Sequence, residues 1–183
     1  MPDFIFPDLE TERLLLRRLA PADLDFLFAH FSHPQVDQFL VDADPVTSPE
    51  GAAEILDFYL RQDGKGYSRW IMQAKSSGLP LGTLGFHRWD RRNRHVEIGY
   101  DLSPQYWGSG YMREAARAAL AFAFTRMEVH RVEAMIHVEN TRSIRLAETL
   151  GFQREGRLRG NFYHGGVFHD HYIYALLESD RPG

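Results

Sequence analysis

The sequence predicts a mixed α/β fold of the α+β kind: about seven strands in a mostly antiparallel sheet, flanked by about four helices. Three observations predict it. Residues 67–74, 79–89 and 95–102 are apolar strand segments separated by "SSGLP" and "DRRNR", so they read as an antiparallel meander. A helical pattern over residues 112–127 then joins the last of these strands to "RVEAMIHV" at 131–138, and a crossover of that length joins parallel neighbours. Two final strands, 152–163 and 167–177, are joined by "HGG" as a closing hairpin.

Taken in order, regular structure begins with "TERLLLRRL" (11–19), a first strand whose run of leucines leaves its period ambiguous. Pro21 then occupies a first-turn position, and "ADLDFLFAHF" continues as a helix. In "TSPEGAAEILDFYLRQ", Ser48 is the cap and Pro49 the first helical residue, with an acid in the first turn where the helix dipole favours it. Ile55, Leu56, Tyr59 and Leu60 share one side of this helix. "GKG" at 64–66 interrupts the chain before the meander. On the crossover helix, Ala115, Ala119, Phe122, Ala123 and Met127 fall near one face. "NTRSIRLAETLGF" is a helix capped by Asn140 and stopped by Gly151.

The 183 residues suffice for one good core and are few for two, so a single domain over 1–183 is expected. No cysteine is present, which removes disulfides, thiolate metal ligands and cysteine nucleophiles, and fits a cytoplasmic address. The net charge of −4 lacks the basic footprint of a nucleic-acid binder. No apolar run reaches membrane-spanning length. "MPDFIFPDLE" carries acids where a signal peptide carries a basic region, so none is expected. Two local basic clusters, "DRRNRH" (90–95) and "REGRLRG" (154–160), are either solvated turn and strand edge or an aid to binding a phosphorylated cofactor or acidic substrate.

The stretch Gln105-Tyr106-Trp107-Gly108-Ser109-Gly110-Tyr111-Met112 follows a strand and opens a helix. Glycines let successive N–H groups approach an anion without side-chain obstruction, and a helix N-terminus adds a favourable dipole. A loop that merely needs flexibility remains one reading. A dinucleotide fold fits poorly, because Arg113 stands where a third glycine belongs, Glu133 lies mid-strand, and antiparallel strands come first. A nucleotide-hydrolase phosphate loop fails, because no Gly-Lys-Ser/Thr follows.

The third reading is a resemblance. Gln105, Gly108 and Gly110 match the Gln/Arg-x-x-Gly-x-Gly/Ala signature of the GNAT acetyltransferases, and Asn140-x-x-Ser143 followed by Leu150-Gly151-Phe152 matches a second block of that family. The order of elements also matches, over roughly residues 14–177. "TERLLLRRLAPADLDFLF", "VEIGYDL" and "GRLRGNFYHGGVFHDHYIYALL" look like the Rim-type branch, which acetylates N-terminal α-amines of ribosomal proteins and includes relatives with other substrates. The resemblance implies the GNAT fold and acetyl-CoA as cosubstrate, without a metal. Its pyrophosphate would lie on Gln105, Trp107, Gly108, Ser109, Gly110, Tyr111 and Met112. Its pantetheine arm would pair with backbone freed near Leu102 and Ser103 and meet Asn140 and Ser143. Asn140 also serves simply as a helix cap.

Acetyl transfer needs a neutral amine and a polarised thioester carbonyl, here by a backbone N–H near Leu102. In "HVEIGYDL", His95, Glu97, Gly99 and Asp101 share one strand face, and Val96, Ile98, Tyr100 and Leu102 the other. A glutamate mid-strand is costly unless that face is wet. Glu97 is therefore the candidate base, with a solvated or salt-bridged strand residue as the plain alternative. Many family members place an acidic tyrosine four residues before the Gly-Phe pair; Ala147 stands there instead, and Ser143 matches the serine that Rim-type members set beside the sulfur. The acceptor is an amine, expected to be a protein N-terminus. A small molecule (polyamine, antibiotic or amino acid) is the rival within enzymes, and a non-catalytic acyl-CoA module the rival outside them. A homodimer fits the family. "HDH" at 169–171 offers two histidines on one face with no evident third ligand, so ordinary strand histidines are expected. Asp170 either lines the acceptor cleft or anchors the last hairpin. Trp70, Trp89, Phe162 and Tyr163 are acceptor-pocket candidates whose default is core packing.

Overall fold

The computed structural model describes residues 4–180. In chain order the elements are β1 (Leu9–Glu10), β2 (Leu14–Arg18), α1 (Leu24–Phe31), α2 (Pro34–Asp37), α3 (Pro49–Gln62), β3 (Trp70–Ala74), β4 (Pro80–Asp90), β5 (His95–Leu102), α4 (Tyr111–Thr125), β6 (Arg131–His137), α5 (Thr141–Thr149), β7 (Gln153–His164) and β8 (Val167–Leu177). The strands form one eight-stranded sheet in the order β1-β2-β3-β4-β5-β6-β8-β7. Every neighbouring pair is antiparallel except β5–β6, which the α4 crossover makes parallel.

The two elements beyond the expected set are both short. The two-residue β1 adds a strand to the sheet's edge, and the four-residue α2 starts at Pro34 with His33 Nδ1 accepting from Gln35 N–H at 3.2 Å. Neither is long enough to show a period. The expected caps form. Ser48 Oγ accepts from Gly51 N–H at 3.4 Å, and Asn140 Oδ1 accepts from Ser143 N–H at 3.1 Å. The final hairpin turns on Gly165 and Gly166, both at positive φ (58° and 84°), as a two-residue turn requires; His164 belongs to the strand.

Helices cover both sheet faces. Val96, Ile98, Val132, Ala134 and Ile136 pack under α4, whose Ala115, Ala119 and Ala123 are fully buried and let the helix lie close; Ala147 of α5 joins this cluster. On the opposite face Leu27, Phe31, Ala52 and Leu56 pack against Ile71 of β3. The stripe expected on α3 is shifted: Leu60 is 41% exposed, and Ala52, one turn before the buried Leu56, takes a core position instead. Trp70 and Trp89 belong to the first core, where Trp70 also donates Nε1–H to Pro7 O at 2.9 Å. Tyr163 is exposed. No helix among the described residues is long and apolar enough to cross a membrane.

One topological detail positions everything that follows. β5 pairs with β6 only at His95↔Arg131, Val96↔Val132 and Glu97↔Glu133. Beyond Glu97, β5 continues beside β4 as far as Leu102, and β6 continues beside β8 as far as His137. The two parallel strands therefore separate toward their C-terminal ends. Ser103 N–H donates to Leu81 O at 2.9 Å, so by alternation Asp101 and Ser103 turn their amides to β4, while Tyr100 and Leu102 turn theirs to the opening.

Candidate active site

The glycine stretch lies where the opening widens. After a turn over Pro104–Tyr106, Gly108 and Gly110 adopt positive φ (75° and 80°), and Gly110 is the N-cap of α4. No side chain caps this helix, so the first-turn N–H groups are left to face outward. A Cβ on Gly108 would meet nothing within 4 Å, and one on Gly110 would meet only the tips of Arg13 (3.5 Å) and Arg113 (3.9 Å). The result is an uncluttered nest of amides at a positive helix end, which fits a pyrophosphate.

The loop is held from outside. Arg13 Nη1 donates to Ser109 O at 3.0 Å, its Nε meets Glu114 at 2.6 Å, and its guanidinium lies 4.4 Å from the Tyr111 ring centroid. Arg142 of α5 stacks over Trp107 at 3.7 Å, and Trp107 Nε1–H donates to Leu102 O at 2.7 Å. Arginines 13, 113 and 142 thus gather at the cradle. The basic cluster weighed for that role, "DRRNRH", is the β4–β5 turn at the other end of β5; the second, at 154–160, lies on the edge strand β7. Neither reaches the glycines. Composition marked basic runs, whereas the arginines at the cradle come singly from three separate segments.

The other cofactor candidates are placed as follows. Gln105 and Tyr106 form the turn before the glycines, and Met112 is buried in the α4 core face. Asn140 is engaged as the α5 cap. Ser103 is committed within the chain: its N–H pairs with Leu81, its carbonyl accepts from Tyr106 N–H at 3.0 Å, and its hydroxyl lies 2.9 Å from His30 Nδ1. The amides at the opening belong to Tyr100 and Leu102.

The two catalytic candidates lie on opposite faces of β5. Glu97 faces the α1/α3 side at the last paired position before the strands part. A β-bulge after His87 puts Arg88 at φ 51°, and its Nη1 meets Glu97 at 3.1 Å. Burial raises the Glu97 pKa above the ordinary glutamate value; Arg88 opposes the rise, and the negative charges of Asp42 and Glu133 add to it. Glu133 is itself paired with Arg131 at 2.7 Å. Ser143 sits in the first turn of α5 on the other side, and its Oγ lies 2.8 Å from the Tyr100 hydroxyl. A thioester threaded through the opening would have Glu97 on one side and Ser143 on the other.

Beneath Glu97 is a buried polar network that the sequence did not reveal. Asp101 accepts from Thr83 N–H at 3.0 Å, from the Thr83 hydroxyl, from Arg69 and from His30 Nε2 at 2.6 Å. Tyr59 of α3 donates or accepts with His87 Nε2 at 3.0 Å and accepts from Arg69 at 2.8 Å. The His87 ring lies against Gly99, where a Cβ would come within 2.7 Å of it; the glycine two residues after Glu97 is there to make room.

Burial pushes the His87 imidazole down to about 3, with the Arg69 and Arg88 charges acting in the same direction. Its folded pKa is below its unfolded one, near 6.5. The unfolded chain then takes up a proton that the fold refuses, so stability is complete above pH 6.5 and declines as pH falls from there toward 3. Burial lowers His137 and His171 as well, with the same sign. Urea midpoints should therefore drop between pH 7.5 and pH 5, and His87→Gln should flatten the drop. Equal midpoints at the two pH values would refute this reading.

At the far end of β6, His137 Nε2 lies 3.1 Å from His169 Nδ1 and the His137 ring 5.4 Å from His171, so a third histidine does join the "HDH" pair. Among the described residues, no group of three or more His, Cys, Asp or Glu is placed to hold a metal ion. Phe162 packs on His171 at 4.8 Å. Asp170 anchors the hairpin: it accepts from Arg157 Nε at 2.8 Å and Gly160 N–H at 2.7 Å, where β7 shifts register.

Comparison with known proteins fits this geometry. Residues 13–153 match the family model described as an acetyltransferase (GNAT) domain. YdaF of Bacillus subtilis, named as a candidate ribosomal N-acetyltransferase, is 34% identical over 94% of this chain and 96% of its own. The spermidine N(1)-acetyltransferase of Vibrio cholerae is 23% identical over 92% of this chain and 95% of its own. Among solved structures, a GNAT-family acetyltransferase from Bacillus anthracis superposes with a TM-score of 0.82 at 28% identity, covering 94% of this chain and 99% of that one.

Proposed function

The chain belongs to the GNAT acetyltransferase family, and from that premise we propose that the amine it acetylates is the α-amine at a protein N-terminus, of the ribosomal-protein type. It is an acetyl-CoA-dependent N-acetyltransferase. The bound thioester supplies the activated acyl group; the rest is the work of this chain's residues. Gly108, Ser109, Gly110, Tyr111 and Met112 offer backbone N–H groups to the pyrophosphate, with Arg113 and Arg142 close by. The amides of Tyr100 and Leu102 at the opening serve the cosubstrate beside Asn140, one pairing with the pantetheine arm and the other polarising the carbonyl. Glu97 removes the amine proton, directly or through water. Ser143 donates a hydrogen bond toward the sulfur. Transfer is direct, within a ternary complex.

The observation that carries the choice of acceptor is the state of Glu97: a half-buried carboxylate with a raised pKa, still paired to Arg88. That is a modest base. An N-terminal amine with a pKa of about 8 asks less of it than a lysine amine near 10.4. The 34% identity to YdaF supports the same choice. The charges of Asp42 and Glu133 that act on Glu97 also suit a polycation, so a polyamine is the second reading. A screen with labelled acetyl-CoA separates them. Unblocked peptides should be labelled, whereas N-blocked peptides containing lysine, spermidine and aminoglycosides should not. Preferential labelling of spermidine would overturn the proposal.

The cradle is tested separately by Gly108→Ala. The new methyl meets no protein atom, so it acts through the left-handed φ, worth about 1–2 kcal/mol, and by crowding the amides. The Kd for CoA by calorimetry should rise about tenfold, and the melting temperature should fall by roughly 2–8 °C, leaving the protein folded at the temperature of the titration. An unchanged Kd would remove the glycine stretch from the cofactor site.

A further inference from the structure

We infer that Tyr100 is a positioning residue for Ser143, fixing the direction in which the serine hydroxyl donates. The inference rests on the reading of Ser143 given above and extends it to a residue to which the sequence assigned no role.

The argument begins with where the bond lies. Tyr100 is three residues past the last paired position of β5, on the strand face that packs toward α4 and α5. Its ring packs against the core and its hydroxyl meets Ser143 Oγ at 2.8 Å. The bond therefore joins β5 to α5, on the far side of the opening, and puts the Ser143 hydroxyl at its edge. Ser143 is fixed from the other direction as well, since its N–H donates to Asn140.

The polarity of the bond follows from the two groups. Each hydroxyl has one hydrogen, and a phenol is much the stronger acid, so Tyr100 donates and Ser143 Oγ accepts. The serine's own hydrogen is then free to point elsewhere, and accepting a bond makes it a better donor. Burial pushes Tyr100 up to about 12, which keeps the phenol protonated, and so a donor, at any ordinary pH. Ala147, buried at 1% exposure, has no hydroxyl with which to compete. Tyr100 gives up no proton in this scheme. As the C–S bond breaks, its electron pair stays on sulfur, and Ser143 holds the thiolate by a hydrogen bond. A thiol is a far stronger acid than an alcohol, so it leaves readily as the anion and is protonated later from solvent.

The experiment uses the full chain with Tyr100→Phe, Ser143→Ala and the double variant. One readout is equilibrium binding by calorimetry from pH 7 to pH 10, over which the CoA thiol gives way to thiolate, comparing CoA with desulfo-CoA at each pH. Tyr100→Phe should weaken CoA roughly five- to tenfold and leave desulfo-CoA unchanged. The second readout is steady state: kcat should fall by a similar factor, with the KM for acetyl-CoA unchanged. In the Ser143→Ala background, Tyr100→Phe should have no further effect on either. Melting temperatures within a few degrees of one another establish that each variant is folded. Should Tyr100→Phe match the wild type while Ser143→Ala shows both losses, the inference falls and the reading of Ser143 stands. The inference also falls if Tyr100→Phe has its full effect without Ser143. A Ser143→Ala variant with neither loss overturns the reading of Ser143 itself, and this inference with it.

Discussion

With Glu97 as the proposed base, Glu97→Gln should lower kcat by roughly 10²–10⁴-fold, the usual contribution of a positioned general base, and leave the fold intact. The amide keeps the side chain's size and a hydrogen-bond acceptor for Arg88, which is 64% exposed and so gains little from the pair. The pH profile sharpens the test. A base acts only when deprotonated, so the wild-type rate falls on the acid side through the Glu97 pKa, which burial has raised above the ordinary glutamate range. An α-amine near pKa 8 adds a second rise toward alkaline pH. In Glu97→Gln the lower of these limbs should vanish while the upper one persists. A variant retaining wild-type kcat would remove Glu97 from the chemistry and return it to the role of a salt-bridged strand residue.

Asp101→Ala should cost about 3–5 kcal/mol, the price of leaving buried charge without its partner, a large share of the roughly 5–15 kcal/mol that holds a domain together. Asp101 and Arg69 have side chains only 4% and 8% exposed. Burial alone would raise the Asp101 pKa. The Arg69 charge and the bonds from His30 and Thr83 outweigh it and hold the carboxyl down at about 2. The stabilisation is therefore present above the ordinary pKa of 3.8 and is lost as pH falls through about 2. Denaturant titration at pH 7 measures the loss. The companion variant decides the cause: Arg69→Met added to Asp101→Ala should recover part of it, because an apolar pair leaves no orphaned charge. If the double variant is less stable than Asp101→Ala, the network matters as a whole rather than through its uncompensated cation.

These residues also show what a sequence discloses. The caps at Ser48 and Asn140 were legible because a cap bonds three residues ahead, within a window the eye can scan. The alternation of β5 was legible for the same reason, and it put Glu97 and Asp101 on a shared face. What met them there was not. The partners of Asp101 come from 71, 32 and 18 residues away, and the serine that meets Tyr100 from 43. Those distances are closed by the sheet order, in which the chain folds past α1 and α3 on one side and α4 and α5 on the other. Arg13 and Arg142 at the cradle were hidden similarly. Arg13 comes from the segment before β2, 96 residues from the Ser109 carbonyl it holds.

The separation of β5 from β6 has a consequence for the apo protein. Sheets usually keep unpaired strand edges at their margins, where charge, bulges or short strands guard against another chain adding on. This fold has such an edge at its centre, formed by two strands that diverge after three matched positions. α4 and α5 cover one face of the sheet there, and the proposed pantetheine arm would give the edge a partner of its own. The same amides that make it a liability make it a template for an extended, amide-bearing arm. On the proposed placement of the pantetheine arm, cosubstrate binding would resemble the docking of one more strand.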